Sequence, residues 1–315
     1  MRGQLGGTVL VGLLALVTAA PAGAAGFYVT VAGHVGEPDY EQRFTSPAKD
    51  LDKLFKAAAP DAHVYSLMGG DATRARLTRL LEQVAREATA EDDFVLTLIG
   101  HGSFDGVEYK FNLVGPDMSA GEIAALCNRI AAKRQLIVNA TSASGGSIAA
   151  FQRAGRAVIA STKSGTEKNA TVFARYWVEA LQDPSADVDK NESVSALEAF
   201  QYADRKTAEF YTAQKRLATE HAVFEDVGKG DAVRAPAAET AEGRMLSSLT
   251  LVRFGETQKA ALDPAKRDLL GKKEDLERRI DVLKYQKAAM TQNDYEQQLK
   301  ALLIELARVQ AALDR

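Results

Sequence analysis

Five short apolar runs set the limits on what this chain can fold into: FYVTVAG (27–33), HVYSL (63–67), DFVLTLIG (93–100), RQLIVNAT (134–141) and RAVIAST (156–162). Amphipathic stretches follow them, PAKDLDKLFKAAA (47–59), ATRARLTRLLEQVAREA (72–88), SAGEIAALCNRIAA (119–132), GGSIAAFQRA (145–154) and TVFARYWVEALQ (171–182). Runs of this length rich in Val and Ile read as strands, and because they are apolar throughout they need cover on both faces. The alternation predicts an α/β fold, a mostly parallel sheet with helices on both faces. Ligands meet such a sheet at the carboxyl ends of its strands.

Those ends carry chemistry. The first run closes in Gly33-His34, the third in Gly100-His101-Gly102, the fourth in Thr141-Ser142 and the fifth in Ser161-Thr162-Lys163. A histidine and a hydroxyl on one rim are the raw material of nucleophilic catalysis, in which an imidazole takes the proton of an attacking oxygen. The bland reading of His101 is a turn residue between two glycines.

The rest of the chain is organised differently. Residues 193–217 read as a helix, and the segment up to Gly243 reads as loop. After a linker over 244–264, residues 265–315 read as a C-terminal helical hairpin. Leu269, Leu276, Ile280 and Leu283 form one stripe, and Tyr295, Leu299, Leu302, Leu306, Val309 and Leu313 form the other. Thr291 and Asn293 mark the break. The two arms either pack on each other or offer a surface for self-association. At the other end, residues 1–25 combine Arg2, an apolar run from Val9 to Val17 and small residues at Ala22 and Ala24. This pattern predicts a cleaved export signal, a periplasmic or secreted product, and no stable membrane insertion after cleavage. The sole cysteine, Cys127, lies in an amphipathic stretch and reads as packing, so no internal disulfide is available.

The rim motifs resemble those of the caspase and legumain group of cysteine peptidases, and of its legumain-like bacterial branch in particular. IGHGS (99–103) is similar to the histidine motif, and SASGG (142–146) to the cysteine motif, with Ser142 standing 41 residues after His101 where the cysteine belongs. A register shifted by one puts Thr141 there instead. VAG (31–33) and FARYWVEAL (173–181) add to the likeness, which spans about Phe27 to Asp231. The resemblance implies a caspase-like sheet with His101 as base and the Gly102 N–H in the oxyanion hole. It also implies a supporting role for His34 in orienting the imidazole, and a substrate pocket that includes Lys163, Ser164 and Glu167. The departure is the missing thiol. A thiolate forms easily beside an imidazole, whereas a serine hydroxyl needs a well-placed base that is itself oriented by a third group. The expectation is an exported peptidase homologue with lost or reduced hydrolysis that binds a peptide or protein at the former catalytic rim. One alternative is an active hydrolase using Ser142 with His101; another is an interaction scaffold working through the hairpin.

A separate segment, DVDKNESVSALE (187–198), fits a twelve-residue calcium loop. Asp187, Asp189 and Asn191 fall at the first, third and fifth positions, Ser195 at the ninth and Glu198 at the twelfth. Glu192 stands where the pattern wants a glycine with positive φ. The competing reading is an acidic loop in which Ser193 or Ser195 caps the following helix. No cofactor is required by the rim chemistry, and calcium is the metal this loop would take. With 39 basic and 42 acidic residues and no aromatic-basic patch, nucleic-acid binding is not expected.

Overall fold

A computed structural model describes residues 25–58, 61–237 and 239–315; apart from Ala25, the expected export segment lies outside the described residues. Six strands form the central sheet: β1 (Gly26–Ala32), β2 (His63–Leu67), β3 (Asp93–Gly100), β7 (Arg134–Thr141), β8 (Arg156–Ala160) and β10 (Val223–Glu225). Their order is β10-β8-β7-β3-β1-β2, parallel except for β10, which runs antiparallel to β8. The edge strand β10 lies in the segment read as loop. Its three residues are too few for a visible period, and they are held because Val223 and Phe224 are buried against the sheet.

The continuous apolar runs are explained by burial on both sides. One face is covered by α1 (Pro38–Ala58), α5 (Phe173–Gln182) and α6 (Ala196–Ala213), which bring Phe44, Leu51, Phe55, Trp177 and Phe200 against Val95, Ile99 and Val138. The other face is covered by α2 (Arg74–Glu87) and α3 (Ala120–Cys127), with Leu77, Leu81, Ile123 and Cys127 against Leu96, Leu98 and Ile137. Trp177 is 1% exposed, so truncating it to Ala would cost about 3–5 kcal/mol. Cys127 is free and fully buried, as packing requires.

Two boundaries differ from the sequence reading in ways that shape the site. Helix α1 begins at Pro38 rather than Pro47. Pro38 suits a first helical position, while Pro47 sits inside the helix, where its ring is buried and its absent N–H leaves one carbonyl of the preceding turn unpaired. The added turns carry Tyr40, Arg43 and Phe44 over the strand ends. After β7 the chain makes a 3-10 turn (Ser144–Ser147) and one short helix, α4 (Ile148–Phe151), instead of a full amphipathic helix.

A small antiparallel sheet, β4 (Gly102–Phe104), β5 (Tyr109–Phe111) and β6 (Met118–Ser119), rises directly from the end of β3, with β5 in the middle and β4 and β6 as its edges. Residues 193–195 form β9 ahead of α6 and pair with β11 (Thr250–Arg253). The stretch 244–264, expected as a linker, is built of α7 (Arg244–Ser247), β11 and α8 (Gly255–Leu262). It buries Leu246, Leu249, Leu251 and Val252 in the same core as α5 and α6. The C-terminal hairpin is present as α9 (Arg267–Gln286) and α10 (Gln292–Leu313), its two stripes meeting through Leu276, Ile280, Leu283 and Leu302. Helix α9 is also tied to the body, Arg253 donating to Glu274 at 2.6 and 3.0 Å. Among the described residues no helix is long and apolar enough to cross a membrane.

Candidate functional site

Strands β3 and β7 lie in parallel register with Gly100 opposite Thr141, so His101 and Ser142 leave adjacent strand ends. The backbone brings them together, but among the described residues no hydrogen bond joins their side chains. The Ser142 hydroxyl donates to the Gly102 carbonyl at 3.0 Å and accepts from the Gly102 N–H at 3.1 Å. Ser142 is 2% exposed. The N–H expected in the oxyanion hole is thus already occupied, by the hydroxyl expected to attack.

His101 packs against α1. Its ring stands edge-on to Tyr40 and Phe44, with centroids 4.6 and 5.0 Å apart. Burial holds its pKa below the usual histidine range; the Val35 backbone opposes that shift, and the charges of Arg43 and His34 reinforce it. The imidazole is therefore neutral at pH 7. Among the described residues, however, no side-chain hydroxyl or carboxylate is hydrogen-bonded to it, so neither half of a proton relay is in place. His34 is exposed and near enough to be felt electrostatically, but it is not hydrogen-bonded to His101; the expected orienting contact is replaced by the Val35 backbone.

Thr141, the alternative nucleophile, is fully buried on the α2–α3 face. Its hydroxyl lies 2.6 Å from Tyr109 Oη and donates to Asn139 Oδ1 at 2.8 Å. Asn139 in turn donates to Ser147 Oγ at 2.9 Å. Ser144 joins Ser161 and Thr162, each at 3.1 Å, and Ser161 donates to the Thr141 carbonyl at 2.9 Å. The hydroxyl cluster that looks reactive in the sequence is a closed internal network. Burial drives Tyr109 far above the ordinary tyrosine range, so it remains a neutral member of that network.

The expected pocket residues do sit at this rim. Ala143, in the left-handed region at φ 55°, donates its N–H to the Glu167 carbonyl at 2.7 Å, docking the loop after β8 onto the loop after β7. The Glu167 carboxylate accepts from the Lys163 N–H at 3.0 Å and lies 2.5 Å from His221 Nδ1. Ser164 Oγ faces Thr166 Oγ1 at 2.7 Å. A Cβ added at Gly145 would lie 2.2 Å from the Ser164 nitrogen, and one at Gly165 would lie 2.3 Å from the Phe104 ring. The rim is therefore tightly closed, with Phe104 laid over it.

Sequence reasoning missed the Glu167–His221 pair and Glu220. Glu220, 3% exposed, accepts from the N–H groups of Val172 and Phe173 at the start of α5 and from Tyr211 Oη. Burial pushes its carboxyl up to about 7. Both histidine and glutamate lie in the segment read as loop. The signal that pointed to order there was the short apolar run Ala222-Val223-Phe224 beside them.

In the acidic loop, Asp187, Asp189 and Glu198 place carboxylate oxygens within 4.8 Å of one another. Glu192 adopts φ 64°, the left-handed conformation the calcium pattern demands at that position. The other two expected ligands are spent locally: Asn191 Oδ1 accepts from the Ser193 N–H at 2.8 Å, and Ser195 caps α6 in a capping box with Glu198. Glu198 also accepts from the Val188 N–H at 2.9 Å. Burial, then the neighbouring charges of Glu198, Asp187 and Asp281, push Asp189 up to about 6.

No protein-family model matches the chain, and no curated protein is similar to it in sequence. Among solved structures, a protein from Geobacter sulfurreducens is similar at 14% identity and a TM-score of 0.47, over 66% of this chain and 95% of that one. The Drosophila initiator caspase Dronc is similar at 16% identity and a TM-score of 0.42, over 66% of this chain and 81% of the caspase.

Proposed function

We propose that the chain is an exported peptidase homologue of the caspase and legumain type that no longer hydrolyses and instead recognises peptide at the closed rim. The observation that carries this reading is the two-way bond between the Ser142 hydroxyl and the Gly102 backbone. A hydroxyl so held has its proton on a carbonyl rather than on a base, and its acceptor lone pair on the N–H that would stabilise an oxyanion. Freeing it costs two hydrogen bonds, and the His101 imidazole that would then take its proton has no side-chain carboxylate or hydroxyl bonded to it.

Peptide recognition follows from the same geometry. Strand β4 is one of the two edge strands of its sheet, and the N–H and C=O of Gly102 on it point to a group outside that sheet. Ser142 occupies the place that a neighbouring backbone would take. An extended peptide adding to this edge would displace the hydroxyl and pair with Gly102, as strand addition requires.

The test is turnover of a broad fluorogenic peptide library by the chain from about Gly26, with a fluorophosphonate probe alongside. The expected result is no cleavage and no labelling of Ser142. Cleavage that disappears in both Ser142→Ala and His101→Ala would overturn the reading in favour of a serine hydrolase.

A further inference from the structure

A cleft of about 830 Å3 opens on the α1–α5 face of the sheet, floored by Ile99 and Ala140 near the ends of β3 and β7. Ser142, His101 and the loop over 163–167 do not line it. Its charged wall is distinctive. Arg43 from α1, Arg175 from α5 and Arg216 beyond α6 all border it, against two acids, Asp50 and Glu179. Glu179 is already engaged, accepting from Tyr202 Oη at 2.8 Å and lying 3.7 Å from Lys206.

Among the described residues none of the three guanidinium groups is within 4 Å of a carboxylate. Arg43 lies over the Tyr40 ring at 5.1 Å and reaches only the Thr171 carbonyl, at 3.4 Å. Arg175 lies over Tyr176 at 5.4 Å. Some arginines elsewhere are paired, Arg134 with Asp93, Arg253 with Glu274 and Arg234 with Asp204, but none of the three that border this cleft is. Three arginines without a carboxylate partner among the described residues border one cavity, beside the aromatic rings of Tyr40 and Phe210, a lining suited to a ligand with planar anionic groups and an apolar body. The volume falls in the range of sites for compact ligands.

We infer that this cleft is a second binding site, separate from the rim, for a short acidic peptide segment whose carboxylates are gripped by Arg43, Arg175 and Arg216. Carboxylate is the group that matches a guanidinium fork in the plane, and the rings give the intervening apolar atoms a surface. Phosphate shares the charge and the fork geometry, so the experiment must separate the two.

The experiment is fluorescence anisotropy with a dye-labelled pentapeptide of glutamates, titrated with the full chain, with a pentalysine control and with inorganic phosphate as competitor. The parent is expected to bind the acidic peptide and not the basic one. The double substitution Arg175→Ala with Arg216→Ala should weaken binding at least tenfold, while Arg79→Ala, at an exposed arginine on α2 that does not line the cleft, leaves it unchanged. Circular dichroism confirms that the double variant, altered only at exposed side chains, is folded. Unchanged affinity in the folded double variant, or no binding by the parent, would sink the inference. Displacement by phosphate at concentrations where free glutamate does not compete would overturn the carboxylate assignment. An equal loss in Arg79→Ala would mean that net charge alone draws the peptide, and would also overturn the inference. None of these outcomes bears on whether the chain hydrolyses peptides.

Discussion

The rim beyond β7 and the cleft between α1 and α5 lie at the same end of the same sheet, yet they treat polar groups in opposite ways. At the rim, Asn139, Thr141, Ser142, Ser144, Ser147, Ser161 and Thr162 satisfy one another or the backbone. In the cleft, three guanidinium groups stand without a carboxylate partner among the described residues. Hydroxyls are small and can be buried cheaply once both donor and acceptor are matched; guanidinium groups left in a wet cleft keep their binding capacity. What a strand end can do thus depends on which of its groups remain unspent, rather than on which residue types it carries.

The largest expected effect comes from breaking the rim network at its hub. Asn139 is fully buried, donates to Ser147 and accepts from Thr141 and Tyr109. Asn139→Leu leaves those partners unpaired and should lower unfolding free energy by about 3 kcal/mol, read from urea denaturation. An unchanged midpoint would mean that the hydroxyls are not a closed unit and that the contrast with the cleft is misplaced.

Next is Glu220, which sits behind the cleft and is bonded to its lining residue Tyr211. Its folded pKa of about 7 lies above the ordinary 4.5, so the folded state holds this proton more tightly than the unfolded one. Stability is therefore greatest below pH 4.5, falls as pH rises from there to about 7, and is level beyond. Glu220→Gln should remove that decline and be about 2 kcal/mol more stable than the parent at pH 8, part of the full shift being returned as a weakened bond to the start of α5. Parallel pH profiles for parent and variant would refute the assignment. The rim hydroxyls do not titrate in this range, so its contribution stays flat.

A smaller effect separates the structural role of Ser142 from a catalytic one. Ser142→Ala removes two hydrogen bonds to Gly102 and should cost about 1 kcal/mol of stability, with no loss of any peptide turnover because none is expected. A variant as stable as the parent would mean that the hydroxyl is free, which is the condition for a nucleophile.

The fold was legible where periodicity is strong. The five parallel strands and the hairpin stripes were visible because continuous apolar runs and the alternating spacing of leucines each have one reading. Strand β10 and the true start of α1 were not, since three residues carry no period and a proline at position 47 looks like a helix start until tertiary packing holds it inside one. At the site, sequence placed His101, Ser142 and Glu167 on one rim but not the direction of their side chains. That direction is set by contacts with Tyr40, Gly102 and His221, residues 61, 40 and 54 positions away, and no local pattern encodes it.

The acidic loop over 187–198 supplies the smallest and most diagnostic test, because it stands between the two extremes. Its backbone spends the carboxylates, as at the rim, yet Asp187, Asp189 and Glu198 still repel one another, as unpartnered charges do. Asp189, raised to about 6, contributes a destabilisation that grows as pH rises from about 4 through 6 and is complete above it. Its carboxylate is partly desolvated by its neighbours, but the residue as a whole is exposed and the effect is screened, so Asp189→Asn should gain only a few tenths of a kcal/mol at pH 8 and nothing at pH 4. Calcium provides the second arm of the experiment. If the loop holds the cation as its spacing and the left-handed Glu192 suggest, millimolar calcium raises the melting temperature of the parent and not of Asp189→Asn. A parent whose melting is indifferent to calcium, while the substitution still stabilises, identifies the loop as a helix cap whose crowding of charge is tolerated for the sake of α6.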